Sequence, residues 1–231
     1  NCFRAVTFEY IGIEGDFMAE QLLTKDDVLN KLRAYGKNPD DDVIRIKKQI
    51  RHILLRSPEL LYALHVKDLE SELFSKDGSI NWEWNAEKEE FEPLGEWDRY
   101  EGSDAPIRPF LFIPNTQTDV ENFLCYQVST DENIRYNPSE KVLQIVFTIF
   151  VHEGNRVDPL TGIARHDLIA GIIREKFAWI GLDISTTTPV YNKESTTDNN
   201  YVVRTLKYEC TLPNDLVETS NGRTFYKNKR W

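Results

Sequence analysis

Several kinds of residue are scarce in this chain of 231 amino acids. Cysteine occurs three times, at Cys2, Cys125 and Cys210. Three thiols cannot all pair within one chain, and their spacing fits no zinc site, which calls for close pairs of Cys or His. Cys125 and Cys210 fall in expected strands among apolar residues, where a thiol acts as a small hydrophobe. A reducing compartment is the simplest setting for them. No apolar run approaches the roughly 20 residues that cross a bilayer, so no membrane role is expected. Methionine occurs once, at Met18. Residues 1–17 have no basic n-region and do not read as a signal peptide. Basic side chains are outnumbered: 28 Lys and Arg face 38 Asp and Glu, for a net charge of −10 and a pI near 5.0. That balance argues against general affinity for DNA or anionic membranes. It suits a wall past which DNA slides without sticking.

Catalytic sets are lacking as well. His152-Glu153 ends the strongest expected strand, and His166-Asp167 opens the next helix. A zincin needs two histidines four apart on one helix with the glutamate between them, and here the His-Glu pair is at a strand end. A nuclease of the Asp…Glu-x-Lys kind needs carboxylates and a lysine that converge on a metal and a water. Two residues after Glu209 stands Thr211, two before Lys141 stands Ser139, and Glu140 is adjacent to Lys141, which is the wrong spacing. Gly12 and Gly15 lack the Lys and Ser/Thr of a phosphate-binding loop, and no Gly-x-Ser-x-Gly elbow occurs. The residues offer no convincing catalytic, cofactor-binding or metal-binding set, so the expected class is non-enzymatic. The alternative is a metal-dependent hydrolase or nuclease using His152, Glu153, His166 and Asp167.

Hydrophobic residues make up 40% and charged residues 29%, a globular composition. Thr24 is an N-cap with Asp27 three residues on, Val28, Leu29 and Leu32 form a stripe, and Gly36 closes the helix. Ile46, Ile50, Ile53 and Leu54 give a second helix to about Arg56, with Arg45, Lys47, Lys48 and Arg51 between them. That basic face is either solvated or faces an acidic neighbour. Ser57-Pro58 breaks the helix, and residues 59–64 add a helical turn or two. Residues 80–84 alternate like a strand, and Glu90-Phe91-Glu92 returns antiparallel before Pro93. This Trp-rich hairpin holds Trp82 and Trp84, with Trp97 close behind, amid many glutamates. Its aromatics either pack on the domain or form a contact arm.

The most informative stretch is residues 106–213. Residues 110–113 form a short apolar strand and residues 123–128 a second one. Residues 129–138 are a polar loop. Residues 142–151 are the strongest strand, with Leu143, Ile145, Phe147, Ile149 and Val151 on a core face. Val142, Gln144, Val146, Thr148 and Phe150 lie on a mixed face that something else partly covers. A helix between Gly162 and Trp179 carries Ile169, Ile172, Ile173 and Phe177 on one stripe. Residues 185–200, rich in Thr and Asn, read as a mobile loop. Residues 201–212 alternate, with Leu206, Tyr208, Cys210 and Leu212 inward. The expectation is an α+β fold: a small, mainly antiparallel sheet covered by one principal helix, with an N-terminal helical extension and an inserted Trp-rich hairpin. The domains are then 1–105 (extension and insert), 106–213 (core) and 214–231 (a polar, basic tail).

The order of Pro109-Phe110-Leu111-Phe112-Ile113-Pro114, residues 142–151, residues 165–177 and residues 202–212 resembles the tail-terminator and tail-completion proteins of tailed bacteriophages. Val151-His152-Glu153 followed by Thr161-Gly162-Ile163-Ala164-Arg165-His166-Asp167 is the closest part of the likeness. It covers under half of the chain and is one of layout, without a diagnostic motif. Residues 1–105 exceed a minimal terminator. The resemblance implies a virion structural protein of the neck, assembled in the host cytoplasm, with no cofactor. It implies a ring, commonly a hexamer of identical subunits, that ends the tail tube and joins it to the head-side connector. DNA would traverse its channel without specific binding. The expected contacts with subunits or partners are Trp82, Trp84 and Trp97 on the arm, Asn133, Arg135 and Tyr136 in the first loop, Gln144 and Thr148 on the mixed face, and Tyr191 and Lys193 in the second loop.

Overall fold

A computed structural model of the chain describes residues 24–35, 42–112, 121–131, 140–179, 181–182, 185–197, 200–213, 216–218 and 224–226. The chain divides into two units, residues 1–38 and 39–231. In the first, helix α1 (Lys25–Tyr35) starts on a capping box: the Thr24 N–H donates to Asp27 Oδ2 at 2.9 Å, and the Asp27 N–H donates to Thr24 Oγ1 at 3.2 Å. The Thr24 donors hold the Asp27 carboxyl below its ordinary range. The apolar stripe of α1 is open, with Val28 at 43% and Leu32 at 59% exposure. Gly36 lies outside the described residues.

The second unit begins with α2 (Asp42–Leu55), whose Ile46, Ile50 and Leu54 are at most 1% exposed. Its end is set by Ser57 and Pro58. Proline fits the first turn of α3 (Pro58–Ala63), where its missing N–H costs nothing. Helix α4 (Lys67–Leu73) was not foreseen; it is short and buries only Leu69 and Leu73. Strands β1 (Trp82–Asn85) and β2 (Glu90–Pro93) then form the expected antiparallel hairpin. A tight 3-10 turn, Trp97–Tyr100, buries both of its aromatic ends.

The main sheet has five strands in the order β3-β4-β5-β9-β8: β3 (Ile107–Arg108), β4 (Asn122–Asp131), β5 (Glu140–His152), β8 (Thr188–Thr196) and β9 (Tyr201–Pro213). The β3–β4 pair is parallel and all other pairs are antiparallel. Helix α5 (Arg165–Phe177) follows β5, and β6 (Gly181–Leu182) with β7 (Ser185–Thr186) forms a small hairpin. Strands β10 (Leu216–Glu218) and β11 (Thr224–Tyr226) pair in the tail, the rest of which lies outside the described residues.

Two expectations need correction. The strand near residues 110–113 is shorter and earlier, at Ile107–Arg108, and Phe110, Leu111 and Phe112 carry no strand. Prolines at 106 and 109 confine the pairing to the residues between them, because proline lacks the N–H that a ladder needs. Residues 185–200 are not chiefly a loop, since β8 occupies 188–196. Its threonines are β-branched, and the long β9 ladder beside it outweighs the turn preference of Asn192 and its neighbours.

One core joins the helices to one sheet face. Leu143, Ile145, Phe147, Ile149 and Val151 of β5 are at most 1% exposed, as are Leu206, Tyr208 and Leu212 of β9. They pack with Ile169, Ile173 and Phe177 of α5 and with the buried residues of α2, α3, α4 and Trp97. Phe147 is central, 4.7 Å from the Phe177 ring and 5.9 Å from that of Tyr208. Buried residues of α2, α3, α4 and the Trp97 turn thus share this core with the sheet.

Arg165 locks the connection into α5. It is 2% exposed; its Nε donates to Asn155 O at 3.0 Å, its Nη1 to Ala63 O at 2.8 Å, and its Nη2 is 3.3 Å from Asp158 Oδ1. Asp158 also accepts from Thr161 N and Oγ1, and these bonds with Arg165 hold its carboxyl low against the opposing effect of burial. Replacing Arg165 with Met should lower unfolding stability by about 3 kcal/mol, because Asp158 loses its cation and the Ala63 and Asn155 carbonyls lose a donor. Urea unfolding at neutral pH measures this.

The Tyr208 hydroxyl is buried and has no hydrogen-bond partner among the described residues. Burial pushes the phenol up to about 12, with Arg174 opposing. A phenol raised in the folded state favours folding below its unfolded pKa and loses that contribution as pH climbs from about 10 to about 12. Tyr208→Phe should leave stability at pH 7 unchanged or raise it by up to about 1 kcal/mol, and should lessen the alkaline loss. Thermal melts across that range test both parts.

Candidate interaction surfaces

Strict alternation gives β4, β5, β8 and β9 two different faces. Among the described residues, α2, α3, α4 and α5 pack on one. On the other, register places three consecutive rows side by side: Ser129, Gln144, Glu209 and Thr188; then Gln127, Val146, Lys207 and Tyr191; then Cys125, Thr148, Thr205 and Lys193. Four of the expected contact residues, Gln144, Thr148, Tyr191 and Lys193, therefore share this helix-free face. Thr148 is buried among its neighbours, Gln144 is half-buried, and Tyr191 and Lys193 are exposed. Lys193 Nζ lies 5.3 Å from the Tyr191 ring centre, and Lys207 pairs with Glu209 at 3.1 Å.

One end of this face is closed by a small apolar cluster of Phe123, Cys125, Phe150, Tyr201 and Val203, with Phe112 against it. The Arg108 guanidinium stacks 3.7 Å over the Phe112 ring. The remainder is largely polar, with Val146 and Tyr191 among it, as an antiparallel sheet with one wet face should be. Strand β8 is its edge: among the described residues no strand pairs with its outer side. Pro189, a register shift between Pro189 and Tyr191, and Lys193 restrict what can pair there.

The second surface is the hairpin. Trp82, Trp84, Phe91 and Pro93 share one of its faces, and Glu83, Asn85, Glu90 and Glu92 the other. Trp82 stacks on Phe91 at 4.7 Å and approaches Trp97 at 6.3 Å. Trp97 is 1% exposed, and its Nε1–H donates to Glu72 O at 2.8 Å, so it is a core residue. Gly95 allows this seat, because a Cβ there would stand 2.5 Å from Glu72 O. Trp84, by contrast, is 55% exposed.

The acidic neighbour of the basic α2 face is in the same chain. Arg51 binds Asp98 at 2.8 Å and also Glu101, which accepts from the Tyr126 hydroxyl. Burial and that carboxylate push the Tyr126 phenol well up. Arg56 is 3.5 Å from Glu90 and 3.8 Å from Glu92, and His52 is 3.1 Å from Glu90. Lys48, Arg51, His52, Arg56, Glu92 and Asp98 line a cleft of about 420 Å³. These pairs fasten the hairpin to α2, a pairing that charge pattern alone suggests and only topology decides.

Asn133, Arg135 and Tyr136 lie outside the described residues. The four residues considered for a metal do not converge. His152 Nδ1 accepts from Gly154 N, and its ring packs 5.2 Å from Tyr201 on the helix-free face. His166 is buried on the helix side, 3.6 Å from Asp167 and 3.5 Å from Glu194, and Asp167 is bound by Arg204. Among the described residues no group of three or more His, Cys, Asp or Glu is placed to hold a metal ion, and no helix is long and apolar enough to cross a membrane.

The family model named YomW matches residues 57–210. The chain belongs to the YomW family. The family is phage-associated. The match runs from the cap of α3 into β9 and takes in the Trp hairpin, so the hairpin falls within the family's span. Helix α2 precedes the match, yet its Ile46, Ile50 and Leu54 belong to the same core. A search of curated proteins returns no match.

The two tryptophans make opposite predictions. Trp97→Ala should destabilise the fold by about 3–5 kcal/mol, whereas Trp84→Ala should change stability by less than about 0.5 kcal/mol. Denaturant midpoints measure the difference.

Proposed function

We propose that this protein is a non-enzymatic structural component of the phage virion. In this reading identical copies, six by resemblance, form a ring that ends the tail tube and joins it to the head-side connector. The observation that carries the reading is the one-sided sheet. Its helix-free face and the nine-residue edge strand β8 are both turned away from the core. An edge strand offers a row of backbone donors and acceptors, which a neighbouring copy can use in a heterologous, ring-closing contact. Its guards (Pro189, the register shift and Lys193) confine such pairing to a narrow geometry. Family membership supports a phage setting, and the net charge of −10 suits a channel that DNA traverses without specific binding.

Co-assembly with the tail-tube protein of the same phage tests the proposal. Electron micrographs should show tubes of limited length with an annular density at one end, and light scattering should show an oligomer of the chain. Tubes that grow without limit beside a strictly monomeric chain would overturn it. Lys193→Glu with Tyr191→Glu should keep the melting temperature and reduce ring formation at least about tenfold, since both side chains are exposed on the edge strand.

A further inference from the structure

The β1–β2 hairpin has features that the ring reading does not use. Its Glu90 and Glu92 are engaged by Arg56, His52, Lys88 and Asn85, which fixes its orientation. The inner end of its aromatic face is anchored by the stack of Trp82 on Phe91 and by Trp97. The outer end is exposed. There Trp84 meets Phe91 edge-on at 5.1 Å, the two being 55% and 45% exposed. The turn is also held: Asn85 Oδ1 accepts from Glu87 N and Lys88 N, and Glu89 takes a left-handed φ of 53°. In the turn that joins the two strands beside this pair, Glu87 and Glu89 are exposed and without an ion pair among the described residues.

We propose that the Trp84–Phe91 ledge is a docking surface for a basic protein segment. The segment places an apolar side chain on the two rings and sets Lys or Arg against Glu87 and Glu89 in the turn. A rigid, preorganised Trp is the kind of anchor that dominates interface affinity. The unpaired carboxylates select the sign of the partner and speed its approach. The same carboxylates repel nucleic acid and anionic lipid, which leaves a protein as the occupant. This inference does not depend on the ring, and its failure would leave the ring reading standing.

The test uses the full chain and a synthetic peptide of alternating Lys and Leu, with a Glu-Leu peptide as control, by titration calorimetry. The Lys-Leu peptide should bind, more weakly at about 500 mM salt than at about 50 mM, and the Glu-Leu peptide should not. Trp84→Ala should weaken binding at least about tenfold. The double change Glu87→Gln, Glu89→Gln should do so too and remove most of the salt dependence. Both variants alter exposed side chains, and unchanged melts confirm their folding. Equal binding of the two peptides, no binding of either, or binding untouched by both variants overturns the proposal. Self-association of the chain that depends on Trp84 overturns it in favour of a second copy as occupant.

Discussion

Helices α2–α5 cover the main sheet on one side, and among the described residues no helix covers the other; this asymmetry organises the second unit. A strand sends alternate side chains to opposite faces, so each covered residue of β5 has a neighbour that is not covered by helix. Leu143, Ile145, Phe147, Ile149 and Val151 are sealed under α5 and the α2–α4 group. Among the described residues, Gln144, Val146 and Thr148 are flanked by their strand neighbours. Burial on the first face supplies most of the stabilisation, because apolar area removed from water is the largest favourable term in folding. The second face is consequently free to carry polar side chains.

The second organising constraint is electrostatic. An acidic chain has to place its carboxylates without heavy self-repulsion, and the segment from Glu90 to Glu101 does so against the cations of α2. Each exposed pair is worth little by itself. Their joint effect is geometric, since they hold a two-stranded hairpin that would be marginal alone. Glu101 is the innermost member, shared between Arg51 and the Tyr126 hydroxyl, and it links the helix to β4.

What could be read from the sequence followed from local periodicity. The capping box of Thr24 and Asp27, the Ile46/Ile50/Leu54 stripe, the Ser57-Pro58 break and the alternation in β5 and β9 are each written within a few residues. The features missed depend on partners far along the chain. Strand β8 has no apolar alternation because both of its faces are largely exposed, and only β9 makes it a strand. Helix α4 is too short for a period to show. Trp97 and Trp84 look alike in sequence, and the 2.8 Å bond to Glu72 O and the approach allowed by Gly95 separate them. Of the candidate contacts, Gln144 and Thr148 could be assigned a common face from parity along one strand. That Tyr191 and Lys193 join them needs the register of β8 on β9.

The two exposed surfaces differ in the kind of selectivity that they permit. Backbone groups along β8 are the same in any protein, so selectivity there has to come from exclusion, to which Pro189, the register shift and Lys193 contribute. On the hairpin, selectivity comes from attraction, through a fixed aromatic pair and a single sign of charge. A surface guarded by exclusion suits contacts between identical copies, where one geometry must recur around a closed ring. A surface defined by charge suits a contact with a different molecule of opposite sign. The chain's net acidity sharpens this contrast, because two acidic copies approaching hairpin to hairpin would repel each other, whereas a basic partner would be drawn in.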